Sequence, residues 1–181
     1  MLKKLLLLTI TFCFTLSISA QDDRERKSAI GLSGGWGAPY GFGIQYSYSP
    51  TQKIDLTLGG GLSLSGFRGG FGLRYLFKTG QTTPFLGMNF VTTSGLNELT
   101  VDTGNGESIY DIPSNRAIFA RGGYIIKLDK VGFVFATGYG IPLSDKDPDL
   151  VSGFPDEDSQ KFAEWMMLGG FELSMTIYFR F

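Results

Sequence analysis

The chain has 181 residues, with 16 basic and 17 acidic side chains, a formal net charge of -1 and no histidine. That balance supplies no basic excess for nucleic acid. Without histidine, and with a single cysteine, the chain lacks the usual transition-metal ligands, the usual base for a serine nucleophile and any internal disulfide.

Residues 1–20 read as a secretory signal. Lys3 and Lys4 precede an uncharged, mostly apolar run from Leu5 to Ile18, then Ser19 and Ala20, with cleavage expected after Ala20. The run is too short to span a bilayer as a helix. Cys13 lies within it behind the bulky Phe12, whereas a lipid-attachment site has a small residue there, so the cysteine is expected to leave with the signal. A polar segment, 21–27, follows, and residues 28–181 are expected to form one domain. No later apolar run nears 18 residues, which leaves a glycine-rich, aromatic-rich all-β chain.

From Ser28 onward apolar residues recur at every second position, the period of a strand with two unlike faces. Eight segments follow in chain order. The first sets Ile30, Leu32 and Trp36 against Ala29, Gly31, Ser33 and Gly35. The second sets Tyr40, Phe42, Ile44, Tyr46 and Tyr48 against Gly41, Gly43, Gln45 and Ser47, and a turn at 49–53 with Pro50 ends it. The third sets Ile54, Leu56, Leu58 and Leu62 against Asp55, Thr57, Gly59 and Gly61. After a turn near Ser65-Gly66, the fourth sets Phe67, Phe71, Leu73, Tyr75 and Phe77 against Arg68, Gly70, Gly72 and Arg74. The fifth, 84–92, places Leu86, Met88 and Phe90 on one face and Phe85, Asn89 and Val91 on the other. The sixth sets Ile118, Ala120, Tyr124 and Ile126 against Phe119, Arg121 and Gly123. The seventh sets Phe133, Phe135, Tyr139 and Ile141 against Val134, Ala136, Gly138 and Gly140. The eighth, expected to start near Trp165, ends with Phe171, Leu173, Met175, Ile177, Phe179 and Phe181 opposite Glu172, Ser174, Thr176, Tyr178 and Arg180.

The connections are unequal. Those after the second, fourth and sixth segments are short, while 93–114 and 142–164 are long, so both long connections fall at one end of an up-and-down meander. In the first long loop, two β-prone runs around Gly104-Asn105-Gly106 predict a hairpin. The second is rich in acid: Asp145, Asp147, Asp149, Asp156, Glu157, Asp158 and Glu164. The spacing of Asp145, Asp147, Asp149 and Asp156 only faintly resembles a calcium loop, because Leu150 stands where the glycine is needed. A solvated charge run is the expectation, with no metal and no cofactor.

The face that carries the glycines also carries every mid-strand charge, and the opposite face is large and aliphatic or aromatic. A water-soluble barrel would have the reverse arrangement. The pattern therefore predicts an eight-stranded antiparallel up-and-down transmembrane β-barrel, all-β, with short periplasmic turns and two long extracellular loops. Inward glycines make room for the few large inward side chains that so narrow a barrel can hold. Outward aromatics are expected in two girdles: Tyr48, Tyr75, Phe77, Tyr124, Phe133, Phe179 and Phe181 at one interface, and Trp36, Tyr40, Phe67, Phe90 and Trp165 at the other.

On strand number, loop asymmetry and the terminal alternating strand ending in Phe181, residues 28–181 resemble the small outer-membrane barrels of the OmpX and OmpA-barrel type. The resemblance implies a multi-pass barrel of the Gram-negative cell outer membrane. Its surroundings would be outer-membrane lipid and lipopolysaccharide, and an unknown extracellular partner would be met through loops 93–114 and 142–164. It also implies that Tyr178, Phe179 and Phe181 form the signal read by the outer-membrane assembly machinery. The lack of a peptidoglycan-binding segment after Phe181 fits a stand-alone barrel.

Small-barrel acyltransferases and deacylases use a histidine, which this chain lacks, so no enzymatic role and no catalytic residue are expected. Candidate ion pairs in the lumen are Asp55 with Arg74, directly opposite if the turn centres near Ser65, and Arg121 with Glu172. Arg180 lies near the lower end. They are expected to form a polar plug, giving a structural and surface-interaction role. The alternative is a narrow passive channel for ions or very small solutes. Met175→Arg is expected to be costly, and Ser174→Ala on the opposite face to cost little.

Overall fold

The computed structural model describes residues 27–102, 106–144, 147–153 and 157–181. The signal segment 1–20, residues 21–26, the hairpin tip at Gly104-Asn105, and Asp145 and Asp156 lie outside the described residues.

Eight strands close into one antiparallel barrel: β1 (Ser28–Trp36), β2 (Phe42–Tyr48), β3 (Ile54–Ser63), β4 (Gly66–Leu76), β5 (Thr82–Thr93), β8 (Asn115–Lys127), β9 (Val131–Pro142) and β11 (Gly170–Arg180). Each pairs with its neighbour along the chain, and β1 pairs with β11 to close the ring. At that seam the Phe181 amide donates to the Ser28 carbonyl at 2.9 Å and the Ser28 amide donates back at 3.3 Å. Closure leaves no free edge, so the barrel ladder has no open row of backbone donors and acceptors.

The two faces of the wall differ in polarity. Outward side chains such as Leu32, Leu58, Phe71, Met88 and Leu173 are exposed, whereas Gln45, Asp55, Arg74, Asn89, Arg121 and Glu172 point inside and are buried. Glycines make this possible in a narrow barrel. A Cβ at Gly59 would collide with the Tyr40 ring, one at Gly72 with the Asn89 amide, and one at Gly140 with the Phe119 ring. Large interior groups thus sit where the facing strand has no side chain.

The two ends also differ. Lys27, Phe181 and the turns 49–53, 77–81 and 128–130 share one end, and all longer connections share the other. Beyond that rim, β6 (Leu96–Asp102) and β7 (Glu107–Ile112) form the expected hairpin. The second long loop contributes β10 (Asp149–Ser152), which pairs with β7 to make a three-stranded sheet, and a helix, α1 (Glu157–Trp165). Val101, Tyr110 and Ala163 form a small core between sheet and helix, with Tyr110 and Ser159 hydroxyls 2.9 Å apart. The loops therefore join into one cap.

Two expectations need correction. The eighth strand starts at Gly170, not near Trp165, which ends α1, so the second long connection runs on to Gly169. The chain re-enters the wall through Gly169 and Gly170, both at positive φ (135° and 77°), a conformation that strongly favours glycine. Tyr40 is not part of an outward girdle. Gly37 and Gly41 (φ 59° and 63°) turn the 37–41 connection into the mouth, and Tyr40 ends inside, only 1 % exposed. Parity could not place it, because β2 begins at Phe42 and a side chain before the strand is not bound by the strand's alternation.

Candidate functional site in the barrel interior

Strand register brings the interior charges together. Asp55 is directly opposite Arg74 across β3 and β4, and the Arg74 Nη1 donates to Asp55 Oδ2 at 3.1 Å. The Ser49 hydroxyl donates to the other carboxylate oxygen at 3.2 Å. Arg74 also lies over the Phe85 ring, 5.4 Å from its centroid, a cation–π arrangement in a nearly dry setting. Arg180 does not enter this pair. It lines the same small cavity as Asp55 and Arg74 at the short-turn end, with Lys27 and Lys127.

Nearer the middle of the barrel, the Arg121 Nη2 donates to Glu172 Oε1, joining β8 to β11 over Gly138 of β9, the ladder partner of both residues. The same nitrogen donates to the Ser174 hydroxyl at 3.0 Å, and that hydroxyl donates to Glu172 Oε1 at 2.5 Å. Arg121 Nη1 reaches Asn89 Oδ1 at 3.5 Å, and the Asn89 amide donates to the Tyr40 hydroxyl at 2.6 Å. Tyr40 and Thr57 oxygens lie 3.4 Å apart. One polar chain thus crosses the interior: Thr57, Tyr40, Asn89, Arg121, Glu172, Ser174. It draws on β3, the first loop, β5, β8 and β11, of which only β5 and β8 are ladder neighbours, so it ties together separated parts of the wall.

Burial sets the energetic weight of this arrangement. Glu172 is 0 % exposed and Arg74 1 %, so neither charge is screened by bulk water. Taking a partner away from such a pair leaves a bare charge in a poor dielectric, which costs about 3–5 kcal/mol. Arg74 Nε and Nη2, Arg121 Nε and Glu172 Oε2 have no protein hydrogen-bond partner among the described residues. The interior is therefore polar and not fully saturated by protein atoms.

Several members of the network were missed at the level of sequence. Asn89 was assigned to the inner face but not linked to a partner, and Tyr40 was assigned outward. Alternation places Ser174 in the lumen without a partner, whereas it touches both charges of the central pair. The legible signal was a set of inward polar groups, Thr57, Asn89 and Ser174, at similar heights to Arg121.

Tyr178, Phe179 and Phe181 occupy three different settings. Tyr178 points inward over Gly132, Phe179 points outward and is exposed, and the Phe181 backbone closes the seam. Asp147, Asp149 and the acids of α1 are exposed, with Glu157 held 2.5 Å from Lys161 one turn on. Among the described residues no group of three carboxylate, histidine or cysteine side chains is placed to hold a metal ion.

Fold and interior together define a closed, eight-stranded antiparallel up-and-down barrel with a charged, hydrogen-bonded interior. Among solved structures, the chain is similar to the N-terminal β-barrel domain of Pseudomonas aeruginosa OprF. The TM-score is 0.51 at 13 % identity, over 86 % of this chain and 98 % of that domain. No family model and no curated protein matches the sequence. At this identity the likeness is one of fold.

Proposed function

We propose that this chain is an integral outer-membrane barrel, exported and cleaved after Ala20, with a plugged lumen and a non-catalytic, structural and surface-interaction role. One observation carries the reading: the polarity of the closed barrel is inverted. Its outward belt is aliphatic and aromatic, and its charges are paired inside. In water that belt would be an aggregation surface, while in a bilayer it is the surface that spans. The short-turn end then faces the periplasm, and the sheet-and-helix cap faces outward, toward lipopolysaccharide or a protein partner. Tyr178, Phe179 and Phe181 belong to the strand that the assembly machinery would read.

Cell fractionation tests the location. The chain should accompany outer-membrane markers and migrate as a compact, heat-modifiable band. Recovery in the soluble periplasm would refute the proposal.

A second reading, a narrow passive channel, is favoured by the unsaturated donors and acceptors on Arg74, Arg121 and Glu172. Planar-bilayer recording separates the two. A plugged barrel gives no discrete steps, and Glu172→Ala leaves the trace unchanged. Steps in the wild type that Glu172→Ala alters would establish a channel gated by the central pair.

A further inference from the structure

At the long-loop end, a cleft of about 820 Å³ opens between the barrel rim and the second long loop. That volume falls within the range of small-molecule sites. One side is apolar: Trp36, Phe42, Leu62 and Phe171 from the wall, and Trp165 and Met167 from the loop. The two indole rings meet at 4.5 Å between centroids. Phe42, Leu62 and Phe171 are also exposed on the outward face, so the apolar side of the cleft runs on into the belt.

The other side holds two buried donors with unmet capacity. Arg68 is 6 % exposed. Its Nη1 donates to the Ala38 carbonyl at 3.1 Å and its Nη2 to the Ser65 hydroxyl at 3.0 Å, both neutral acceptors. Its Nε has no partner, and among the described residues no carboxylate pairs with it. Asn115 accepts from the Arg116 amide through Oδ1 at 2.6 Å, which leaves its buried Nδ2 without an acceptor. A buried guanidinium bonded only to neutral groups is costly, and an anion is the group that offsets that cost best. Asp147 and Glu164 also line the cleft and are exposed. Their charges disfavour a polyanionic headgroup and admit a compact single anion.

We propose that this cleft binds an anionic amphiphile of the long-chain carboxylate class. Its carboxylate sits on Arg68 and Asn115, and its hydrocarbon lies along Phe42, Leu62, Phe171 and the tryptophan pair. The inference goes beyond the role proposed above and does not depend on it.

The chain has two tryptophans, and both line the cleft, so their fluorescence reports this site. The full chain, folded in an uncharged detergent, is titrated with dibrominated stearic acid and, separately, with its methyl ester. Quenching should saturate, with the acid binding at least ten-fold more tightly than the ester. Millimolar inorganic phosphate should not displace the acid. Arg68→Gln should abolish the preference for acid over ester. Equal affinities in the wild type would overturn the proposal, whether or not the variant folds. A preference that survives Arg68→Gln would also overturn it. Displacement by inorganic phosphate would reveal a small-anion site and overturn the amphiphile.

Discussion

The interior network rests on single side chains whose worth depends on what they leave behind. Glu172 is fully buried, and its Oε1 accepts from both Arg121 and Ser174. Glu172→Ala strands the Arg121 guanidinium, so the refolded barrel should lose about 3–5 kcal/mol in urea titrations. The double variant Arg121→Met/Glu172→Leu removes both charges and should lose much less than the two single losses added. Strict additivity would mean that the pair is not coupled. Strand alternation alone, which makes Ser174 a small inward position, predicts little cost for Ser174→Ala. The substitution removes a donor to a buried carboxylate and an acceptor for a buried guanidinium, so about 1–2 kcal/mol should be lost in the same titration. A loss that vanishes in the Glu172→Ala background would trace it to this contact.

At the scale of elements, the strands were legible because both faces of each one are constrained. Outward positions are apolar and lumen positions small or paired, so alternation survives over seven to thirteen residues. One two-residue turn at Leu64-Ser65 sets the register of β3 against β4, and from it follows the Asp55–Arg74 apposition. The rest was hidden for equally physical reasons. The strand β10 and the helix α1 are short and stable only against β6 and β7, which lie far away in sequence. Helix spacing was present in Ser159, Ala163 and Met166, all buried, and in the Glu157–Lys161 pair, but it was masked by the density of acids around it. Likewise the approach to the mouth by Tyr40 depends on two glycine turns, not on strand parity. These elements differ in what supports them, and substitution should separate them. Met175→Arg places a charge on the outward face of β11 and should cost about 2–4 kcal/mol of barrel stability in lipid vesicles. Ala163→Glu buries a charge between α1 and the hairpin. It should speed tryptic cleavage at Lys161 several-fold while the unfolding free energy of the barrel stays within about 0.5 kcal/mol of wild type. Equal destabilisation of cap and barrel would show that they fold as one unit.

For the whole molecule, the outer-membrane location proposed above predicts a fixed orientation from the inverted polarity and the unequal ends. Short turns need little space and can be drawn through a bilayer with the strands, whereas the three-stranded sheet and helix form a bulky unit beyond one rim. Orientation then follows from which end crosses first. The sequence provides a clean probe, because its one cysteine, Cys13, lies in the segment expected to be removed on export. A cysteine placed at Gln160, exposed on α1, should react with a membrane-impermeant maleimide on intact cells. A cysteine at Thr79, in the turn between β4 and β5, should react only after the outer membrane is permeabilised. Both substitutions are at exposed positions away from the lumen network, so neither should disturb the fold. The opposite labelling pattern would invert the assignment of ends, placing the cleft lined by Arg68 and the tryptophan pair on the periplasmic side. Labelling of both positions on intact cells would mean that the outward belt does not separate two compartments, and the membrane reading of its polarity would fail.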